Sequence, residues 1–339
     1  MTTITQHAPG ACVHTDDTGT VEVTAVEDGQ VDVRVTLRHA VAGVPLRTRT
    51  RTPPSIIAQV ARVKSAAWTV DEIERATPGS AFATELSRQL RAYVADADVA
   101  GGTIIDFGCG SGASLVHLAT MYPSAAEIVG VEFNAGYVAL ARTRIDGLGD
   151  PRLSVRQQDD AMSLPPLPAA RFLVLSAVVE HMLARERRVL LPRLWDLVEP
   201  AGWAMVTDTP HRWFPCEAHT TGLWGLNYQS DAAAIRRIAA AQRPDLPSSW
   251  ESLLRAGVRG STEGEIVACM RAGRRPRPIV ERPRYPVRRR RVDVWYEGLT
   301  PGRRVWLKRC ARELLHLGER VTGSLATQNV SLCVRKPGE

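Results

Sequence analysis

The chain has 339 residues, of which 44% are hydrophobic and 23% charged, and its formal net charge is +7. This composition predicts a globular protein with a sizeable core and an appended module, and it excludes disordered and fibrous proteins. No segment approaches the roughly 18 to 20 uninterrupted apolar residues of a membrane span. The first thirty residues lack a basic start followed by an apolar stretch, so a cytoplasmic location without a membrane partner is expected. Six scattered cysteines without a CxxC pair favour free thiols.

Residues 1–100 are predicted to form an N-terminal cap. Alternating apolar residues in Thr20–Thr24 and Gln30–Leu37, separated by Glu27-Asp28-Gly29, predict a β-hairpin, and a third strand is expected near Val44–Thr50. Helical spacing of apolar residues then predicts two helices, Ser55–Trp68 and Ser80–Ala97.

Residues 101–339 are predicted to form an α/β domain with a doubly wound, mostly parallel, Rossmann-like sheet. Short apolar strands alternate with helical segments from Gly102 onward, the pattern of a parallel sheet covered on both faces. The predicted strands are Thr103–Phe107, Glu127–Glu132, Leu153–Gln157, Phe172–Ser176, Trp203–Asp208 and, near the end, Thr327–Arg335. The predicted helices are Ala113–Met121, Gly136–Gly147, Arg185–Leu197, Asp231–Gln242 and Pro301–Leu317.

The basic residues crowd into Arg271–Arg291, so the positive charge is a local feature. Four prolines break this segment into extended pieces, which favours a solvated connector over a helix that fits a nucleic-acid groove. Nucleic acid is therefore not an expected partner, although RNA binding or RNA methylation by this run stays open as an alternative.

A glycine-rich loop follows the first predicted strand of the α/β domain. Residues 106–112 read Asp-Phe-Gly-Cys-Gly-Ser-Gly, and glycines allow the tight turn and the close backbone approach that a nucleotide-like ligand needs at a helix start. The spacing of Gly108, Gly110 and Ala113 also satisfies a permissive dinucleotide fingerprint, so the glycines alone do not separate the two cofactor classes.

Three acidic positions favour S-adenosylmethionine over a dinucleotide. Asp106 precedes the first glycine, where it suits the cationic methionine end of the cofactor and not a pyrophosphate. Glu132 ends the second strand, where a carboxylate accepts the ribose hydroxyls of either cofactor. Asp160-Ala161 follows the third strand, where an acceptor suits an adenine amino group.

These segments resemble the class I S-adenosylmethionine-dependent methyltransferases of the small-molecule type. The stretches IIDFGCGSG, VGVEFN, QQDDAMSLP and LVLSAVVEHM are similar to the first four motifs of that superfamily, over roughly Gly102–Asp208. The resemblance implies S-adenosyl-L-methionine as the cofactor. The implied cofactor-binding residues are Asp106, Gly108, Cys109, Gly110, Gly112, Glu132, Phe133, Asp160, Ala161 and Ser176.

Four residues are candidates for acting on the substrate. His181, in the stretch VVEHM, suits general-base chemistry near neutral pH. The loop 209–228, dense in aromatic and titratable residues, follows the fifth strand and is the predicted substrate wall, with His211, Glu217 and His219 as candidates. With Glu180 and His181 these side chains also suit a divalent metal, but the spacing matches no fixed metal motif, and no metal is assigned.

The sequence thus predicts an S-adenosylmethionine-dependent methyltransferase that modifies an oxygen, nitrogen or carbon of a small molecule, as in small-molecule biosynthesis. One alternative keeps the cofactor but changes the chemistry: the amino group of S-adenosylmethionine attacks its own chain and methylthioadenosine is released. The acceptor and the oligomeric state are not fixed by the sequence, and a homodimer stays open.

Overall fold

The computed structural model describes residues 3–8, 11–39, 44–241, 243, 246–272, 276–299 and 304–338, with side chains from residue 13 onward. The predicted first residues of the helix Pro301–Leu317, the last residue of the helix Asp231–Gln242 and residues 273–275 of the basic segment lie outside the described residues. Within them, no helix has both the length and the apolar character that crossing a membrane requires.

The strands form two main sheets. Five antiparallel strands make the N-terminal sheet, in the order β1-β2-β3-β4-β5: β1 Thr3–Ala8, β2 Ala11–Thr15, β3 Gly19–Ala25, β4 Val31–Leu37 and β5 Arg47–Thr50. The second sheet has seven strands in the order β13-β14-β10-β9-β6-β7-β8: β6 Thr103–Phe107, β7 Glu127–Glu132, β8 Leu153–Gln157, β9 Ala170–Ser176, β10 Val198–Pro210, β13 Ile279–Val280 and β14 Asn329–Arg335. A short hairpin pairs β11 Cys216–Glu217 with β12 Leu223–Trp224.

Eleven α-helices lie within the described residues. They are α1 Pro54–Lys64, α2 Thr69–Ala76, α3 Ala81–Arg91, α4 Ala113–Met121, α5 Ala135–Leu148, α6 Ala184–Leu197, α7 Asp231–Ala240, α8 Trp250–Arg255, α9 Glu263–Met270, α10 Arg291–Glu297 and α11 Val305–Thr322.

The seven-stranded sheet is doubly wound and mostly parallel, which confirms the predicted fold class. Strands β6 to β10 are parallel, whereas β13 and β14 run antiparallel at one edge. Successive β6 residues face opposite layers: Ile104 contacts the core under α3, α4 and α5, and Ile105 contacts the core under α6 and α9. The chain adds β7 and β8 on one side of β6, and β9 and β10 on the other. The switch between β6 and β9 is where such sheets bind ligands.

The N-terminal region is larger than the predicted hairpin and helices. Its sheet covers α1 and α2 through a separate apolar core that includes Val21, Val33, Ile57 and Ile73. The predicted helix Ser55–Trp68 ends early, at Lys64, because Ser65 has a positive φ of 75°. A 3-10 turn at Ala66–Trp68 then leads into α2, which was not predicted. In this way α1 packs on α5, and α2 packs on α4, directly behind the glycine loop.

The basic segment is more integrated than a solvated connector. Arg291 is 3% exposed, pairs with Glu263 and donates to the Ser331 carbonyl. Arg284 pairs with Asp98. Arg289 and Arg290 also form ion pairs within the chain, and β13 adds an edge strand to the sheet. Part of the positive charge of this segment is therefore neutralised by ion pairs within the chain.

Candidate cofactor and active site

A cavity of about 550 Å³ opens beside the glycine loop at the switch point of the sheet. This size lies within the range of roughly 300 to 1,000 Å³ that is usual for small-molecule sites. Its walls come from the loop after β6, the ends of β7 and β9, the loop 209–228 and the N-terminal cap. Among the predicted site residues, the lining includes Gly108, Cys109, Gly110, Glu132, Phe133, Ala161, Ser176, His181 and His219.

The glycines of the loop hold conformations that side chains rarely adopt. Gly108 has φ of 77°, and a Cβ there would lie 2.5 Å from Val178 Cγ2. Gly112 has φ of 81° and touches α5, since an added Cβ would lie 3.0 Å from the Ala141 Cβ. Gly112 is not part of the cavity lining, so its position is explained by the packing of the loop onto α5.

Glu132 joins the second strand to the glycine loop. Its carboxylate accepts hydrogen bonds from the backbone N–H of Gly110 at 3.1 Å, of Phe133 at 2.9 Å and of Asn134 at 2.8 Å. It is 6% exposed but lines the cavity, while the Phe133 ring beside it is 55% exposed. The carboxylate is thus fixed at the cavity wall with acceptor capacity left for a ligand.

Asp106 lies beneath the glycine loop and outside the cavity lining. It accepts a hydrogen bond from Ser114 Oγ at 2.5 Å, and Ser114 itself reaches the cavity. Burial raises the pKa of Asp106 to about 6, opposed by the Ser114 hydrogen bond and reinforced by the charge of Glu132. Asp106 therefore reaches the cavity only through Ser114.

Ser176 lines the cavity, whereas Asp160 does not. The Asp160 carboxylate accepts from the N–H groups of Met162 and Ser163 and so caps its own turn, which leaves Ala161 as the lining residue. Ser176 reaches the cavity and donates to Asp208 at 3.1 Å.

Glu180, His181 and His219 meet at the cavity wall. The distance from Glu180 Oε1 to His181 Nε2 is 3.7 Å and to His219 Nε2 is 4.0 Å. Glu180 is fully buried, and its Oε2 accepts from Thr209 Oγ1 at 2.8 Å. Burial raises the pKa of Glu180 to about 8, and desolvation lowers the pKa of both imidazoles. His181 and His219 line the cavity, and Glu180 lies behind them.

His211 and Glu217 lie away from the cavity, and each is 1% exposed. His211 Nδ1 accepts from the Trp213 N–H at 3.1 Å. Glu217 accepts from the backbone N–H groups of residues 219 to 221 and from Thr221 Oγ1. Glu217 thereby fixes the turn that carries His219, and the predicted substrate wall contributes to the lining through His219 alone among the described residues.

The N-terminal cap contributes a charged network behind the glycine loop. Glu72 on α2 pairs with Arg144 at 2.9 Å and with Lys64 at 3.3 Å, and it accepts from Ser111 Oγ. Burial alone would raise the pKa of Glu72, but the charges of Lys64 and Arg144 outweigh it, and the pKa lies below its usual value. The network ties the cap to the loop at Ser111.

Sequence patterns did not reveal the cap's share of the site. Lys64, Glu72, Arg75 and Phe82 line the cavity, yet none lies in a recognisable motif, and α2 was not predicted at all. The one available signal was the rarity of lysine, since Lys64 is one of three in the chain. Arg255, at the end of α8, also lines the cavity and was missed because it lies in no recognisable motif.

Comparison with known proteins points to one superfamily. Residues 104–202 match the model of a family described as a methyltransferase domain. Over 141 residues the chain is 23% identical to carboxy-S-adenosyl-L-methionine synthase of Hydrogenovibrio crunogenus, a match that covers 42% of this chain and 55% of that protein. Over 98 residues it is 33% identical to trans-aconitate 2-methyltransferase of Methylobacterium radiotolerans, covering 29% and 34%. The chain thus spans about half or less of the length of these relatives.

Among solved structures, human N-acetylserotonin methyltransferase is similar with a TM-score of 0.40 and 12% identity, covering 82% of this chain and 56% of that one. The four motifs quoted above lie within residues 104–202. The Rossmann-like sheet extends beyond this segment through β10, β13 and β14. The family model thus assigns residues 104–202 to a methyltransferase domain.

Proposed function

We propose that this chain transfers the methyl group of S-adenosylmethionine to a small metabolite. The observation that carries the proposal is a cavity whose lining includes the glycine loop, Glu132, His181 and His219, with the buried Glu180 against the two imidazoles. Candidate cofactor-binding residues and titratable residues line the same cavity, as a group transfer between two bound molecules requires.

The cofactor lies along the glycine loop in this proposal. Glu132 accepts the two ribose hydroxyls, Gly108 and Gly110 let the backbone approach the ligand, and Phe133 covers the adenine ring. The charge of Asp106, relayed through Ser114, stabilises the cationic methionine end. Asp160 acts on the adenine pocket through the turn that presents Ala161.

The acceptor lies on the side of His181 and His219. Its nucleophilic atom attacks the methyl carbon in line with the carbon–sulfur bond, the bonding pair passes to sulfur, and S-adenosylhomocysteine leaves. The acceptor's proton passes to one of the side chains of His181, His219 and Glu180. His211 and Glu217 support this wall and do not touch the acceptor.

A metabolite suits the cavity better than a polymer. Residues of the cap and His219 of the loop 209–228 line the cavity, and its volume matches small-molecule sites. Arg284, Arg289, Arg290 and Arg291 are engaged in ion pairs with acids of the same chain, which leaves them less free to track phosphates.

Product analysis tests the proposal. Purified protein is incubated with methyl-labelled S-adenosylmethionine and fractionated metabolite extracts, and products are resolved by mass spectrometry. We expect S-adenosylhomocysteine to form only when a fraction contains the acceptor, together with a labelled methylated product. Methylthioadenosine that accumulates without any acceptor would instead support the cyclisation alternative.

Replacing His219 tests whether the wall formed by His181, His219 and Glu180 takes part in the reaction. His219→Ala is expected to lower turnover about 10²-fold or more while the affinity for S-adenosylhomocysteine stays within a few-fold. His316→Ala, on α11, serves as the control and should retain turnover. Full turnover in a folded His219→Ala protein would remove this wall from the reaction.

A further inference from the structure

We propose that Glu180, His181 and His219 form a binding site for one divalent metal ion of the zinc or cobalt type at the cavity wall. The three side chains offer one carboxylate oxygen and two imidazole nitrogens, all within 4.8 Å of one another. Two histidines and one glutamate with open positions are a ligand set of catalytic zinc sites.

Both imidazoles present an unprotonated nitrogen to the same point. His181 Nδ1 lies 2.6 Å from the Arg255 carbonyl oxygen, which can only accept, so Nδ1 carries the proton. His219 Nδ1 lies 3.1 Å from Thr220 Oγ1, and that hydroxyl donates to the Ala256 carbonyl, so its oxygen accepts from His219. Nε2 of each ring, which faces Glu180, is left with its lone pair.

This outer shell is the arrangement that orients metal-bound histidines, whose second ring nitrogen usually donates to a carbonyl or a fixed polar group. Both anchors come from the end of α8, at Arg255 and Ala256. Gly257 completes the anchor: it has φ of 98°, and a Cβ there would lie 2.6 Å from His219 Nδ1. A side chain at this position would displace the imidazole.

The buried carboxylate of Glu180 is a second, independent observation in favour of a bound metal ion. Its side chain is fully buried, and Oε1 has no hydrogen-bond partner among the described residues, although it points between the two imidazoles. The separations of 3.7 and 4.0 Å are too long for hydrogen bonds. Ligand atoms around a zinc ion lie roughly 3.4 Å apart, so the two glutamate–histidine separations exceed that spacing by only about 0.3 and 0.6 Å.

The remaining positions of the ion would face the cavity. If the chain transfers methyl groups as proposed above, an oxygen acceptor bound there would lose its proton to solvent more readily and attack the methyl carbon as an alkoxide or phenolate. Metal binding itself does not depend on that proposed function.

Titration of the metal-free protein with Zn²⁺ and with Co²⁺ tests the site. We expect one equivalent to bind, with visible d–d bands for Co²⁺ and a rise in melting temperature. His219→Gln and, separately, His181→Gln should weaken binding by about 10²-fold or more, whereas His316→Gln on α11 should leave it unchanged.

Two outcomes would overturn the inference: no binding to the wild-type protein, or binding that both histidine variants retain. S-Adenosylhomocysteine is titrated into the same metal-free protein, so failure of the cofactor site is seen separately from failure of the metal site.

Discussion

Replacing Glu132 with alanine is expected to weaken binding of S-adenosylhomocysteine by at least tenfold. In the proposed pose two ribose hydroxyls lose a charged acceptor, and each such bond is worth roughly 1.5 to 3 kcal/mol. The change also removes the acceptor that holds the Gly110 N–H at 3.1 Å, so the glycine loop loses a fixed contact. Calorimetric titration measures the affinity directly.

Glu127→Ala is the matched control, because Glu127 begins the strand that Glu132 ends. It should bind S-adenosylhomocysteine like the wild type. An unchanged affinity in a folded Glu132→Ala protein would mean that the ribose lies elsewhere in the cavity.

Replacing Glu72 with alanine is expected to lower the free energy of unfolding by about 3 to 5 kcal/mol, because it leaves a buried charge without its partner. Arg144 is 7% exposed and pairs with Glu72 at 2.9 Å. Urea denaturation followed by circular dichroism measures the loss.

Glu74→Ala, on the same helix, is the control and should change stability by no more than about 0.5 kcal/mol. A Glu72→Leu and Arg144→Leu double variant should recover much of the loss, because a buried ion pair replaced by apolar residues is often neutral. If Glu72→Ala were as stable as the control, the cap would not depend on this network.

Local patterns were sufficient to find six of the seven strands of the central sheet, all but β13. The predicted bounds of Thr103–Phe107, Glu127–Glu132 and Ala113–Met121 agree with the structure. These elements combine short apolar runs with glycine turns, so their limits are encoded by neighbours in sequence. Glu132 was found for the same reason, since it ends a strand that the pattern defines.

Features that depend on distant contacts were not predicted. The N-terminal sheet gains β1 and β2, whose residues alternate weakly: β1 pairs with β2, and β2 pairs with β3. The break at Ser65 has no sequence signal, because serine gives no warning of a left-handed conformation. Arg291 lies in the segment predicted to be a solvated connector, yet its ion-pair partner Glu263 lies 28 residues away in the sequence.

The candidate site shows the same division. Sequence could name His181, His211, Glu217 and His219 as chemically suitable, but it could not orient them. Burial directs Glu217 into its own turn, and the fold brings Glu180 to His219 across 39 positions of sequence. Tertiary packing decides which titratable groups lie together on one wall of the cavity. The spacing of residues within a loop does not encode that packing.

The central claim is that the cavity beside the glycine loop binds S-adenosylmethionine. Calorimetric titration of the wild-type protein with S-adenosylhomocysteine and, separately, with NAD tests it most directly. We predict one equivalent of S-adenosylhomocysteine bound and no appreciable heat with NAD, because the buried Asp106 disfavours a pyrophosphate at the loop. Tight NAD binding with none for S-adenosylhomocysteine would contradict the account.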